Sequence, residues 1–136
     1  MALSALCACA QLGPGAQPTA ASDTLATSAV LDELTLVVGA SADASGATIT
    51  FVRVSEDSRC PTGTTCIWAG DAIVELRVAR AGSSARQVTL HANEQRAREE
   101  LAAGLRIALV RLDPYPSADG PIAPDAYRAT LSVSPE

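Results

Sequence analysis

From residue 33 onward, short runs of branched apolar residues alternate with clusters of Gly, Ser, Asp and Pro, the punctuation of a chain built from strands and turns. Residues 33–39 supply a first strand, and the Ala, Ser, Asp and Gly of residues 40–46 read as the connection after it. In residues 47–54, Thr48, Thr50, Val52 and Val54 fall on one side and Ile49, Phe51 and Arg53 on the other, a period of two. Residues 71–79 repeat the pattern, setting Ala72, Val74, Leu76 and Val78 against Ile73, Glu75 and Arg77. Gly82, Ser83 and Ser84 then turn the chain into a strand at residues 86–91. Residues 105–112 give another, stopped by Asp113-Pro114-Tyr115-Pro116, because proline has no N–H for a ladder and holds its predecessor extended. Residues 127–133 form the last.

Residues 93–103 break this rhythm. Their Glu, Gln, Arg, Ala and Leu favour a helix, with Asn93 as N-cap and Gly104 just past the end. Only Leu101 and a few alanines can face a core, so the expectation is one short surface helical turn. The fold expected is all-β: a small antiparallel β-sandwich or barrel of about six to seven strands with that turn.

A chain of 136 residues has room for one core. With a single Phe and a single Trp, that core must be made of Val, Leu and Ile. All ten cations are Arg, which reflects coding bias more than guanidinium chemistry. The net charge is −5 and no basic cluster occurs, so a nucleic-acid partner is not expected.

Residues 1–10 are short and apolar, and residues 11–27 are rich in Ala, Gly and Pro; they read as an export signal or lipobox region and a tether, leaving a single β domain at 28–136. Leu6-Cys7-Ala8-Cys9 resembles a lipobox with Cys9 as the lipidated residue, although Cys7 stands where a small residue is usual. The Ala8-Cys9-Ala10 triplet also suits ordinary signal cleavage. No positive start precedes this segment, the first cation being Arg53. No apolar run is long enough to span a bilayer, so membrane attachment is expected only through a lipid anchor.

The segment from Glu56 to Asp71 gathers unusual residue types. Cys60 and Cys66 are expected to form a disulfide, for which the chain must turn back; Cys60-Pro61-Thr62-Gly63, with Pro second and Gly fourth, suits a type I turn. So small a loop stabilises by roughly 2 kcal/mol. A redox role would use Arg59 to favour the Cys60 thiolate, but the spacing is not Cys-x-x-Cys. Neither metal nor cofactor is expected, because His91 is the one histidine and Met1 the one methionine. His91, at a strand end with no nucleophile beside it in sequence, carries no role.

In extended geometry Trp68 points the same way as Cys66, and the indole is expected to cover the disulfide as a core plug. Exposed instead, it would anchor a protein or sugar. Asp57, Arg59 and Asp71 bracket the loop as an arginine–carboxylate latch, or Asp57 and Asp71 serve as a carboxylate pair for acid–base work or cation binding. Tyr115, between two prolines, is expected to be exposed, as a contact residue or a turn filler.

The pattern Asp57-Ser58-Arg59-Cys60-Pro61 followed by Cys66-Ile67-Trp68-Ala69-Gly70 resembles that of a family of small bacterial envelope proteins without established activity, many of them predicted lipoproteins. Phe51 before the motif and Pro114-Tyr115-Pro116 after a late strand fit the same pattern, over about residues 33–134. The expectation is thus an exported, monomeric, non-enzymatic envelope module in the periplasm or on the outer membrane, otherwise secreted. It would meet a protein, glycan or other envelope component through the disulfide loop, with Asp57, Arg59, Trp68, Asp71 and Tyr115 as contact residues. The alternative is an envelope redox or hydrolytic enzyme using Cys60 and Cys66 or Asp57 and Asp71.

Overall fold

A computed structural model describes residues 31–136. The export segment at 1–10 with Cys7 and Cys9, and the tether at 11–27, lie outside the described residues. Eight strands follow in order: β1 (Asp32–Val37), β2 (Ser41–Ala44), β3 (Ala47–Asp57), β4 (Ala72–Arg80), β5 (Arg86–His91), β6 (Glu99–Ala102), β7 (Leu105–Asp113) and β8 (Arg128–Pro135). They form two antiparallel sheets, ordered β1-β8-β7-β6 and β2-β3-β4-β5. Of the two architectures expected, the sandwich is the one formed.

The alternation of β4 is preserved, with Ala72, Val74, Leu76 and Val78 buried against Ile49 and Phe51 of β3 and Val88 and Leu90 of β5. Leu105, Ile107, Leu131 and Val133 line the opposite sheet. In β3 the alternation survives only to Phe51. Register shifts fall between Phe51 and Arg53 and between Val54 and Glu56. An unbroken period would turn Arg53 and Ser55 into the core. The two bulges instead send Arg53 out to pair with Glu75, bring Val54 in, and return Asp57 to the inner face opposite buried Ala72. A third bulge at Val110 of β7 turns Arg111 outward and Leu112 inward.

Two expectations are corrected. Residues 40–46 are not a plain connection: β2 pairs with β3 through a two-residue turn at Ser45 and Gly46, both at positive φ. Residues 93–103 contain no helix, nor does any other described segment; Glu99–Ala102 is β6, paired with β7, and buries Ala102 while Leu101 stays exposed. Sheet pairing overrides the local propensity here, because the edge of β7 would otherwise present unpaired backbone groups. Strand count rises to eight for the same two reasons.

Tight turns at 45–46, 81–85 and 103–104 occupy one end of the sandwich. The long connections β3–β4 and β7–β8 and the β5–β6 crossover meet at the other, where Thr62 N donates to Pro116 O and Asn93 Nδ2 to Gly70 O. Ala103 and Gly104 form a two-residue hairpin turn with φ of 54° and 72°. Alanine is strained there, whereas Asn-Gly suits such turns. Ala103→Asn is therefore expected to raise unfolding free energy by roughly 1 kcal/mol in urea denaturation, with an unchanged m-value.

Candidate functional site

The β3–β4 connection leaves the sheet as a narrow ladder. Ser58 N donates to Asp71 O at 2.6 Å and Cys60 N to Ala69 O at 3.4 Å. Gly70 sits against this pairing with φ of +68°, and a Cβ there would lie 1.8 Å from the Ser58 carbonyl oxygen. Beyond the ladder, Cys60 and Cys66 are disulfide-bonded with Cα atoms 5.9 Å apart. The turn inside the ring lies one residue later than expected: Thr64 N and Oγ1 both donate to Pro61 O, and Gly63 takes the third position at φ of +81°.

Below the ladder lies a densely bonded pair, Arg59 and Asp57. Arg59 donates through Nε and Nη2 to both oxygens of Asp57, at 2.9 and 2.7 Å, through Nη1 to Leu112 O at 2.9 Å and through Nη2 to Pro114 O at 3.0 Å. The Tyr127 hydroxyl donates to Asp57 Oδ2 at 2.9 Å, and the Tyr115 ring covers the guanidinium at 5.0 Å. Both ion-pair side chains are buried, 7% and 10% exposed. Asp57 belongs to one sheet, and Leu112, Pro114 and Tyr127 to the strand ends of the other, so the cluster ties the sheets together.

Burial alone would raise the Asp57 carboxyl, but hydrogen bonds from Arg59 and Tyr127 and the Arg59 charge outweigh it and hold the group below its ordinary value. Tyr127 is pushed up to about 12, by burial first and then by its bond to Asp57.

Asp71 has a different set of partners. Its Oδ1 accepts from Ala72 N and Asn93 N at 2.8 and 2.9 Å, and its Oδ2 meets His91 Nδ1 at 2.5 Å. Asn93 Nδ2 donates to Gly70 O, while Asn93 Oδ1 accepts from Gln95 N. Burial raises the Asp71 carboxyl, and the bonds from His91 and the two backbone amides more than reverse this. The crossover to β6 is thereby fastened to the base of the disulfide loop.

The single latch expected from Asp57, Arg59 and Asp71 is thus two clusters. Arg59 pairs only with Asp57, and Asp71 is held by the β5–β6 crossover. Trp68 is not a core plug: it is 81% exposed and Ile67 is 93% exposed. The loop is not extended past Cys66, so the side-chain parity of a strand does not apply. Tyr115 is exposed as expected.

Between the loop and the crossover runs an open groove of about 800 Å³ whose lining includes Trp68, Glu56, Asp71, His91, Gln95 and Arg96. A smaller cavity of about 320 Å³ adjoins it, lined by Arg59, Tyr115, Asn93 and Gln95 among others. Of the five expected contact residues, Trp68 and Asp71 line the groove, Arg59 and Tyr115 the adjoining cavity, and Asp57 lines neither. The two carboxylates proposed as a hydrolytic pair therefore do not share the groove.

His91, expected to carry no role, is bonded to Asp71, and Tyr127, not a candidate on the sequence pattern, is bonded to Asp57. A signal for His91 existed: a hairpin centred on Gly82 places residue 71 opposite 93, beside His91. Tyr127 meets Asp57 across 70 positions and leaves no local trace.

Fold and loop together define a small, disulfide-stabilised all-β sandwich domain. Set against protein-family models, curated proteins and solved structures, the chain finds no match in any of the three.

Because Asp57 and Asp71 have lowered values in the fold, their contribution to stability is present above the unfolded carboxylate value, about 3.9, and is lost as pH falls through the folded values. Asp57→Asn is expected to cost about 3–5 kcal/mol at neutral pH, since it leaves the buried Arg59 charge unpaired. The gap between variant and parent should narrow as pH falls below about 4 in thermal melts followed by circular dichroism. A constant gap would mean that the Asp57 charge contributes nothing. Gly70→Ala, blocked by the Ser58 backbone, should lower stability by at least about 2 kcal/mol in urea denaturation.

Proposed function

We propose that this domain is an exported, non-enzymatic module of the bacterial cell envelope that binds another envelope component through the end of the sandwich carrying the disulfide loop. The observation that carries the reading is the exposure of Ile67 and Trp68 on a loop that is otherwise fastened at every level. A fold gains by burying an indole, which removes about 150–250 Å² of surface from water. Here the chain's one tryptophan stays outside while the backbone beneath it is held by a disulfide, a ladder and the Asn93 bond. Large apolar side chains on a rigid loop, ringed by polar groups, are the usual anchors of a contact surface.

Export is supported by the disulfide, which persists in oxidising compartments, and by the lipobox-like residues ending at Cys9. Resemblance of the Asp57–Gly70 motif to envelope proteins points the same way.

Site-specific photo-cross-linking in cells tests the reading. A cross-linker at Ile67 is expected to trap an envelope component, and one at Ser83, in the β4–β5 turn, to trap none. The adduct should disappear in the Trp68→Ala, Tyr115→Ala double variant while the circular dichroism spectrum is retained. Equal adducts from Ile67 and Ser83, or an adduct indifferent to the double variant, would overturn the assignment.

A further inference from the structure

We infer that the groove beside Trp68 takes an oligosaccharide of β-linked, gluco-configured units, with a sugar ring stacked on the indole and its hydroxyls bonded to Gln95, Arg96 and His91. The inference rests on the binding-module reading above and names the ligand class of that same end of the domain.

Four features select this chemistry. The first is the division of labour among the polar groups. Asp71 and Asn93 are consumed by internal hydrogen bonds and set the floor. Among the described residues the side chains of Glu56 and Gln95 have no hydrogen-bonding side-chain partner, and Arg96 is 64% exposed with only a 4.0 Å approach to Asp71. These free groups are planar amide, carboxylate and guanidinium forks, which suit the adjacent donor–acceptor hydroxyls of a sugar.

His91 is the second feature. An ionised Asp71 can only accept, so the imidazole donates to it through Nδ1, and the other ring nitrogen has no hydrogen-bond partner among the described residues while the ring lines the groove.

Third is charge. Glu56 and Asp71 oppose phosphates and other anions, Arg96 partly balances them, and a neutral ligand meets no repulsion. A protein contact would want a core depleted of charge, whereas this groove offers only Trp68, Ile73, Ala69 and Ala97 as apolar lining.

The fourth is rigidity with openness. Sugars exchange hydrogen bonds with water for similar ones with protein, so their binding depends on walls ordered in advance. The loop wall is held by the disulfide and Gly70 and the far wall by Asn93, while the groove between them is open to solvent. Its volume, about 800 Å³, lies at the upper part of the range for small-ligand sites. All-equatorial β-gluco units leave C–H-covered faces, which match the electron-rich face of an indole.

Trp68 is the only tryptophan, so its fluorescence reports the site directly. The folded domain would be titrated into the millimolar range with the β-1,4-linked N-acetylglucosamine tetramer, its de-N-acetylated form and cellotetraose. Saturable, blue-shifted emission is expected with at least one neutral chain, with amide shifts at Gly70, Gln95, Arg96 and Ala97 in nitrogen–proton correlation spectra. Trp68→Ala should weaken binding about tenfold or more, and Trp68→Phe should restore most of it, both read by the amide shifts. Gln95→Ala should weaken it severalfold. Response to the amino form alone, abolished by salt, would reveal mere attraction of a cation to carboxylates and overturn the inference. No response to any chain, while Ile67 still cross-links a protein in cells, would sink the glycan assignment and leave the binding module standing. Failure of both would remove both.

Discussion

The Asp57–Arg59 ion pair is the constraint on which the rest of this end of the molecule depends. Two desolvated charges are costly to bury, and a pair alone is weak evidence of stability. This one is completed by the Leu112 and Pro114 carbonyls and the Tyr127 hydroxyl, so four of the guanidinium hydrogen bonds and both carboxylate oxygens are satisfied across the gap between sheets. Apolar side chains at these positions would pack but would not specify which strand ends meet. The fork geometry matters, since lysine has one nitrogen and cannot reach a carboxylate and two carbonyls together.

Arg59 also decides where the loop begins. Its backbone follows directly on the bulges that return Asp57 to the inner face, and its neighbours Ser58 and Cys60 form the ladder that requires Gly70. From Gly70 the connection passes to Asn93, and from Asp71 to His91, so a pin between sheets extends by short steps to the crossover wall of the groove. The disulfide then closes a ring whose base is already set. Staple and pin act on different freedoms: the first limits the loop's own conformations, and the second fixes the loop to the sandwich.

Much of this architecture was legible in the pattern of residues. β4, β5, β7 and β8 lie within a few positions of their expected places, and Cys60 and Cys66 pair as their spacing implies. β6 was hidden because Glu99, Glu100 and Leu101 carry helix propensity, and only the neighbouring edge of β7 makes them a strand. The phase of β3 beyond Phe51 was hidden because a bulge leaves no fixed residue type behind. Trp68 was misplaced by carrying strand parity into a ring that turns at Gly63. At the site, Asp57 and Arg59 were visible as a local pair, two residues apart. Their partners Leu112, Pro114 and Tyr127 lie more than fifty positions away and follow only from the sandwich.

The groove is assembled from the disulfide loop, the ends of β3, β4 and β5, and the crossover, and no one of these contains it. Its shape is therefore a property of how the connections are tied, and weakening Asp57, Gly70 or Asn93 should loosen a wall without emptying the core. Stability of the sandwich and order of the groove are thus coupled through one joint, Arg59, and through the ladder that Gly70 permits. Polar groups make that joint because it must hold two sheets in register, which directional hydrogen bonds to Leu112 O and Pro114 O and from the Tyr127 hydroxyl specify and apolar packing would not. The same arrangement frees Trp68 from any structural duty, leaving the indole available to the solvent side of the domain.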